Sequence, residues 1–440
     1  MSKNLEKSAT LEVAAEAIGE SVATIRLWAK KSLIRSTYDE KNRRVFNLEE
    51  LRRAQDKINH GTSSKHRVLK ARKKSNYRAI ELFSGCGGLA LGFENAGIQS
   101  ELLVEWDRHA CNTLRRNWPK KNVIEGDVAE VEFGDYEGEI DIVAGGFPCQ
   151  AFSYAGEGKG FADIRGTMFF QFARCVEQVK PKIAVAENVR GLLRHDGGRT
   201  LATMLAKMRE LGYRCAVRVL RAQFHDVPQK RERLIILCVR DGIQMPILFP
   251  REQDGTVTLR AALDKVPDSP GQSYTGKKCT VMELVKPGGY WRDLPDDIQR
   301  EYMGGSYHLS GGKTGMARRL AWDEPSLTLT CSPMQKQTER CHPEETRPLT
   351  VREYARVQCF PDKWEFTGGV TSQYKQIGNA VPVNLAYHLG SAVRRMLDGG
   401  GENEKFKEAT EASVGLQMSL WFPGDEKQNQ EEACLSANSI

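Results

Sequence analysis

The feature that most restricts the fold is the apolar run Ile140-Asp141-Ile142-Val143-Ala144, which stops abruptly at Gly145-Gly146-Phe147-Pro148-Cys149-Gln150. A short β-branched run ending in two glycines reads as a buried strand that opens into a loop. That loop presents one thiol beside a proline that stiffens its backbone. Three further runs end in the same manner: Ala79-Ile80-Glu81-Leu82 at Phe83-Ser84-Gly85-Cys86-Gly87-Gly88-Leu89, Glu101-Leu102-Leu103-Val104 at Glu105-Trp106-Asp107, and Asn122-Val123-Ile124-Glu125 at Gly126-Asp127-Val128. Helical patterns from Met168 to Val179, stopped by Pro181, and from Thr200 to Leu211 separate later strands. Strands alternating with helices predict a doubly wound α/β sheet whose ligand sites gather at one edge. The run Lys182-Ile183-Ala184-Val185-Ala186 delivers Glu187-Asn188-Val189 to that edge, and Gln229-Lys230-Arg231-Glu232-Arg233 leads into the strand Leu234 to Val239.

The strand ends carry chemistry. The glycine-rich turn at Gly85 to Gly88 lacks the spacing that holds a pyrophosphate. Glu105 stands where ribose hydroxyls are held, Trp106 can stack on a purine, and Asp127 can accept from an exocyclic amine. Together they describe an adenosine site without phosphates. Cys149 is either a nucleophile or one of the buried, inert thiols common in proteins of a reducing compartment. The segment after it, Ser153-Tyr154-Ala155-Gly156-Glu157-Gly158-Lys159-Gly160, suits a lid over a substrate. A carboxyl group such as that of Glu187, at a strand end beside apolar residues, can serve as an acid.

Composition limits the alternatives. The 440 residues allow two or three domains, and 11 scattered cysteines without a close CxxC pair encode neither a disulfide framework nor a zinc finger. Cys331 and Cys341-His342 are too isolated for a metal site, so none is expected. No run is long enough to span a bilayer and the start shows no apolar signal core, which predicts a cytoplasmic protein. The net charge of +7 permits a polyanionic partner.

Outside the α/β body, Leu11 to Trp28 reads as two short helices around a Gly19 turn, with Ser21 as N-cap. With Arg43-Arg44-Val45-Phe46 and the capped helix from Asn47, residues 1–58 resemble the winged helix-turn-helix head of MerR-type DNA-binding regulators. That resemblance implies that Arg26, Lys30 and Arg43 face phosphates or base edges. Residues 59–77, with Lys65, Arg67, Lys70, Arg72, Lys73 and Lys74, read as an extended basic linker. From 241 to 346, Gly- and Pro-rich pieces with aromatics suit a small, irregular, β-rich domain that lays loops in a DNA groove. Residues 399–440 read as a flexible polar tail in which Leu416 to Phe422 could dock.

The order of the blocks Phe83 to Gly88, Gly146 to Gln150, Glu187 to Val189, Gln229 to Arg233, Arg347 to Glu353 and Gln376 to Pro382 closely resembles that of the DNA cytosine-5 methyltransferases. The resemblance implies a Rossmann-like, S-adenosylmethionine-dependent catalytic domain at 78–240, completed by a C-terminal return at 347–398, with a target-recognition domain at 241–346. In its terms Cys149, fixed by Pro148, adds to cytosine C6; Glu187 assists at N3; Arg233 contacts O2; and Asn188 and Arg231 join them from the same blocks. The cofactor S-adenosyl-L-methionine would lie among Phe83, Ser84, Gly85, Cys86, Gly87, Gly88 and Leu89, with Glu105, Trp106, Asp127, Val128, Asn379 and Ala380. Gln150, Ser153, Arg318, Arg319, Lys336 and Arg340 would touch double-stranded DNA. The helix from Asn384 to Leu397 would pack back on the first strands. The implied enzyme is a monomeric, site-specific modification methyltransferase linked to a restriction endonuclease. Two alternatives are a transfer-RNA methyltransferase on the same scaffold and a transcriptional regulator with a methyltransferase-like body.

Overall fold

A computed structural model describes residues 8–30, 33–34, 36–39, 43–60, 65–148, 168–308 and 313–409. Cys149, Gln150, Ser153, the expected lid and the Leu416 to Phe422 segment lie outside the described residues. The chain divides into one unit of residues 1–62, 191–202 and 409–440 and a second of 63–190 and 203–408.

The first unit begins with β1 (Ser8–Thr10), α1 (Leu11–Ile18), α2 (Val22–Lys30), β2 (Thr37–Tyr38), β3 (Arg44–Asn47) and α3 (Leu48–His60). Gly19 ends α1 in the left-handed region at φ 70°, and the Ser21 hydroxyl accepts from Thr24 N at 3.0 Å, so the expected turn and cap are both present. The three strands form an antiparallel sheet, β1-β3-β2, and Ile25, Trp28, Phe46 and Leu51 are buried between it and the helices. Arg26 is exposed, while Arg43 is bound by Asp39 at 2.8 Å.

The chain continues with β4 (Arg78–Leu82), α4 (Gly88–Ala96), β5 (Gln99–Glu105), α5 (Arg108–Asn117), β6 (Asn122–Glu125), β7 (Ile142–Gly145), α6 (Met168–Val179), β8 (Ile183–Val189), α7 (Arg199–Glu210), β9 (Tyr213–Arg221), β10 (Gln229–Lys230) and β11 (Glu232–Arg240). The second unit's seven-stranded sheet has the order β6-β5-β4-β7-β8-β11-β9. The first five strands are parallel, and β11 runs antiparallel to both β8 and β9. The central parallel strands β4, β7 and β8 are buried along almost their whole length, as strands covered on both faces are. Because they point the same way, their ends bring Phe83, Glu105, Gly126 and Gly146 to one edge. Glu187-Asn188-Val189 closes β8 itself instead of following it, with Ile235 paired to Glu187.

The remainder comprises β12 (Leu248–Pro250), α8 (Leu259–Leu263), α9 (Gly276–Glu283), α10 (Asp296–Met303), β13 (Ser326–Leu327), α11 (Val351–Val357), α12 (Val370–Asn379), α13 (Val383–Leu397) and β14 (Phe406–Glu408). Helix α13 returns to the first part of the sheet's unit, but it packs chiefly on helix α4 instead of directly on the first strands. A Cβ on Gly92 would lie 2.2 Å from that of Ala386, so the two helices meet at contact distance.

Three expectations are corrected. The segment 241–346 is not β-rich: among the described residues it holds only the short β12 and β13, and its core of Tyr274, Met282, Trp291, Met303 and Ala317 packs short helices and turns. The basic linker is docked from residue 65 onward: Leu69 N donates to Asn384 Oδ1 at 2.9 Å and Ala71 N to the Asn95 carbonyl at 2.7 Å. The first residues of the expected tail are part of the fold, because β14 pairs with β12.

Candidate active site

The loop after β4 makes the first wall. Phe83 takes a positive φ of 57°, a conformation that side chains avoid and that clusters at functional sites. Gly87, at φ 88°, admits the turn into α4, and a Cβ there would lie 2.8 Å from Leu114. The Glu105 carboxylate draws the loop in, accepting from Gly85 N at 2.7 Å, Trp106 N at 3.0 Å and Asp107 N at 2.8 Å. Burial pushes its pKa up against the pull of those three N–H groups. Trp106 is 80% exposed, which leaves a large ring uncovered at a strand end. Asp127 is exposed, with Oδ1 accepting from Ala129 N at 2.9 Å, while Val128 beside it is buried.

Other members of this set serve packing. The buried thiol of Cys86 donates to the Gln376 carbonyl at 3.3 Å, Ser84 Oγ to the Glu81 carbonyl at 2.9 Å, and Leu89 is in the core. A Cβ on Gly88 would sit 2.3 Å from the Val381 carbonyl, so this glycine lets the late block Asn379-Ala380-Val381 close on the first loop. Asn379 is exposed and accepts from the Cys331 thiol at 2.9 Å, and Ala380 is buried.

The second wall comes from β7, β8 and β11. Arg233 Nε lies 2.6 Å from Glu187 Oε1, with both side chains about nine-tenths buried: their exposures are 12% and 10%. Desolvation lowers the Arg233 pKa, and Glu187 opposes that shift. Asn188 Nδ2 donates to the Phe147 carbonyl at 2.9 Å, which fixes the chain just before exposed Pro148 and Cys149. Arg231, expected to touch substrate, instead braces the scaffold: its two terminal nitrogens donate to the carbonyls of Leu329 and Gly378, each at 3.0 Å. Its guanidinium is fully buried, with Arg233 and Glu187 within electrostatic reach.

Two contributors were missed by the sequence reading. A Cβ on Gly146 would stand 2.9 Å from Glu187 Oε2, so the missing side chain is what lets the carboxylate occupy the strand end. Glu81 is 4% exposed in mid-strand. The register pairs Glu81 with Leu103 on one side and Ala144 on the other, which puts Glu81, Glu105 and Glu187 on the same sheet face. Burial, then Glu105, then Glu187, holds the Glu81 carboxyl well above the usual range. Its position inside an apolar run was the only available signal. An acidic face beside an exposed indole suits a cationic, adenosine-bearing cofactor.

The expected DNA contacts divide. Arg319 is a buried brace: it donates to the carbonyls of Val285, Met282, His342 and Glu345 and to the Thr346 hydroxyl, at 2.6 to 3.1 Å. Arg340 is likewise 5% exposed and clasps the Thr328 carbonyl, and burial lowers its pKa to about 10. Neither guanidinium faces solvent, so both expectations are corrected. Arg318 is half-buried over Tyr290, at 5.7 Å, and Lys336 is exposed with Nζ on the Tyr302 carbonyl at 2.6 Å. Among the described residues no group of acids, cysteines and histidines could hold a metal ion, and no helix is long and apolar enough to cross a membrane.

Comparison with known proteins identifies the same region. The family described as C-5 cytosine-specific DNA methylase matches residues 77–395. Type II methyltransferase M.Eco47II of Escherichia coli is 53% identical over 409 residues, spanning 90% of this chain and 97% of that protein. Type II methyltransferase M.PspPI of Psychrobacter sp. is 54% identical over 333 residues, spanning 73% of this chain and 80% of that protein. Among solved structures, an E. coli prophage-encoded protein described as a DNA modification methyltransferase aligns with a TM-score of 0.54 at 23% identity, over 73% of this chain and all of that one, which establishes a shared fold.

Proposed function

The chain belongs to the C-5 cytosine-specific DNA methylase family, and from that premise we propose that it methylates C5 of one cytosine within a specific duplex DNA site, as the modification enzyme of a Type II restriction system. The observation that carries this reading is the 2.6 Å Arg233–Glu187 pair, seated against Gly146 at the strand end that leads into Cys149.

Cytosine C5 is a weak nucleophile, and Cys149 overcomes this by adding its thiolate to C6, which makes C5 enamine-like. Glu187 stabilises the adduct by a hydrogen bond or proton at N3, while Arg233 orients that carboxylate and takes up charge developing at O2. Gly85, Glu105, Trp106 and Asp127 would hold S-adenosyl-L-methionine, which supplies the methyl group. Loss of the C5 proton to solvent and expulsion of the Cys149 thiolate restore the aromatic ring. A stacked base is inaccessible to this arrangement, so the cytosine must leave the helix. Arg318 and Lys336, with Gln150 and Ser153, would contact the duplex. The exposed Arg26 face of the N-terminal unit supports a second DNA contact there, in the manner of a helix-turn-helix regulator, which a footprint on upstream DNA would reveal.

Bisulfite sequencing of DNA from cells expressing the protein tests the proposal. One short motif should be protected, and protection should vanish with Cys149→Ala. Unprotected DNA throughout would overturn it.

A further inference from the structure

Ion pairs are spread over the second unit, among them Arg78 with Glu139, Lys121 with Glu94, Lys182 with Asp141 and Lys230 with Glu324. One continuous stretch of cations has none. Lys65, Arg67, Lys70, Arg72, Lys73 and Lys74 are all exposed, and among the described residues none of the six forms an ion pair. No acidic residue occurs in the sequence between Asp56 and Glu81. The neighbouring acids are otherwise engaged: Asp398 binds the Tyr77 hydroxyl and lies by Arg394, Asp226 is paired with His388 within electrostatic reach of Arg67, and Asp264 and Asp362 line a cavity with His66, where Asp362 is paired with Arg356.

The backbone of the stretch is fixed while its cationic side chains are exposed. Asn384 Nδ2 donates to the Arg67 carbonyl at 2.8 Å, Arg394 donates to the Lys73 carbonyl at 2.6 Å, and Ser75 N donates to the Gly97 carbonyl at 2.8 Å. These anchors run residues 67–75 along α13, from Asn384 near the start of α4 to Arg394 beside Gly97 at its far end, so the stretch leads away from the edge that bears Glu105 and Glu187. Ordering six long cationic chains side by side costs repulsion, which a segment with no polyanionic partner would avoid by pairing or interspersed acids. A duplex offers one negative charge per ~1.7 Å of axis, and eight extended residues reach about 25 Å, so several phosphates match the ridge at once.

We propose that this ridge is a second, sequence-independent phosphate-binding surface for duplex DNA, separate from the methylation cleft. It rests on the DNA-modifying reading above only in the identity of the polyanion. It binds backbone phosphates by charge and reads no bases.

The test compares the full-length protein with the variant Arg67→Gln, Lys70→Gln, Lys73→Gln, Lys74→Gln, which keeps every main-chain anchor. Binding to a target-free duplex of about 40 base pairs is measured across a salt series, with each phosphate contact contributing about 0.9 to the slope of log K against log salt. The variant's slope should fall by about 2 to 4, with tenfold or greater loss of affinity at low salt. Its unfolding midpoint, and its turnover on a short target duplex of about 12 base pairs, should match the unsubstituted protein. Equal slopes for the two proteins would overturn the proposal, as would a slope change seen only with anionic lipid vesicles. Because the binding assay needs no turnover, failure of methylation by the unsubstituted protein would strike the catalytic reading and leave this one standing.

Discussion

Two regions of the second unit bury arginine for opposite ends. At the sheet edge, Arg233 faces the Glu187 carboxylate, so one charge meets another beside the loop that carries Cys149. In the segment 241–346, Arg319 meets only carbonyls and a hydroxyl, so its charge is spent on holding loops together. A buried arginine with one carboxylate is poised to change partners when a substrate arrives. A buried arginine whose donors are all engaged is a brace, and moving it would strand several acceptors at once.

The largest test of that contrast is Glu187→Gln. It keeps the shape and removes the charge and the proton, so turnover should fall by about 10² to 10⁴, or roughly 3 to 5 kcal/mol of barrier, with cofactor affinity retained. Unchanged turnover would make the pair structural after all. The matching change, Arg319→Ala, should destabilise the fold by on the order of 4 kcal/mol in urea unfolding, since hydrogen bonds from a charged group are each worth about 1.5 to 3. A variant that stayed stable but changed its target sequence would show that Arg319 reads bases.

Buried groups without an ionic partner extend the comparison. His225 is fully buried with Nδ1 on the Arg221 carbonyl at 2.9 Å, and burial followed by the His388 charge lowers its pKa to about 4. Between pH 6.5 and about 4 the unfolded chain takes up a proton that the folded one refuses. Stability should therefore decline as pH falls through that window, by on the order of 3 kcal/mol in all, and be unaffected above it. His225→Gln should flatten the part of the pH profile that this residue causes, measured by urea unfolding at several pH values. A smaller effect, about ten- to a hundredfold in turnover with little change in stability, is expected for Gly146→Ala, whose methyl would crowd Glu187. Smallest of all, Lys336→Ala should alter stability by less than about 0.5 kcal/mol and weaken DNA binding equally across sequences.

The same contrast explains what could be read in advance. The strands β4, β5, β6 and β7 were legible because buried parallel strands write themselves as apolar runs, and their ends as glycines and acids. Helix α13 was legible through the resemblance, whose late block at Gln376 to Pro382 brings the chain back to the catalytic domain. Strand β9, Tyr213-Arg214-Cys215-Ala216-Val217-Arg218-Val219-Leu220-Arg221, was not, since three arginines interrupt it and only pairing with β11 reveals it. The helices of 241–346 were missed because they are only five to eight residues long, too short to show a helical period, and packing around Trp291 and Met282 supports them. Arg319 and Arg340 failed as expectations for a simpler reason. Residue type states that an arginine carries five donors, and the tertiary fold alone decides whether those donors face carbonyls or phosphates.

The central claim is that the edge lined by Glu187 and Arg233 brings Cys149 into covalent contact with cytosine. Incubating the protein and its methyl donor with a target duplex containing 5-fluorocytosine, which cannot lose its C5 substituent as a proton, tests this directly. The account predicts a protein–DNA species that survives a denaturing gel and is absent for Cys149→Ser. Complete separation of protein and oligonucleotide at a confirmed target, or an adduct that persists in the Cys149→Ser variant, would contradict it.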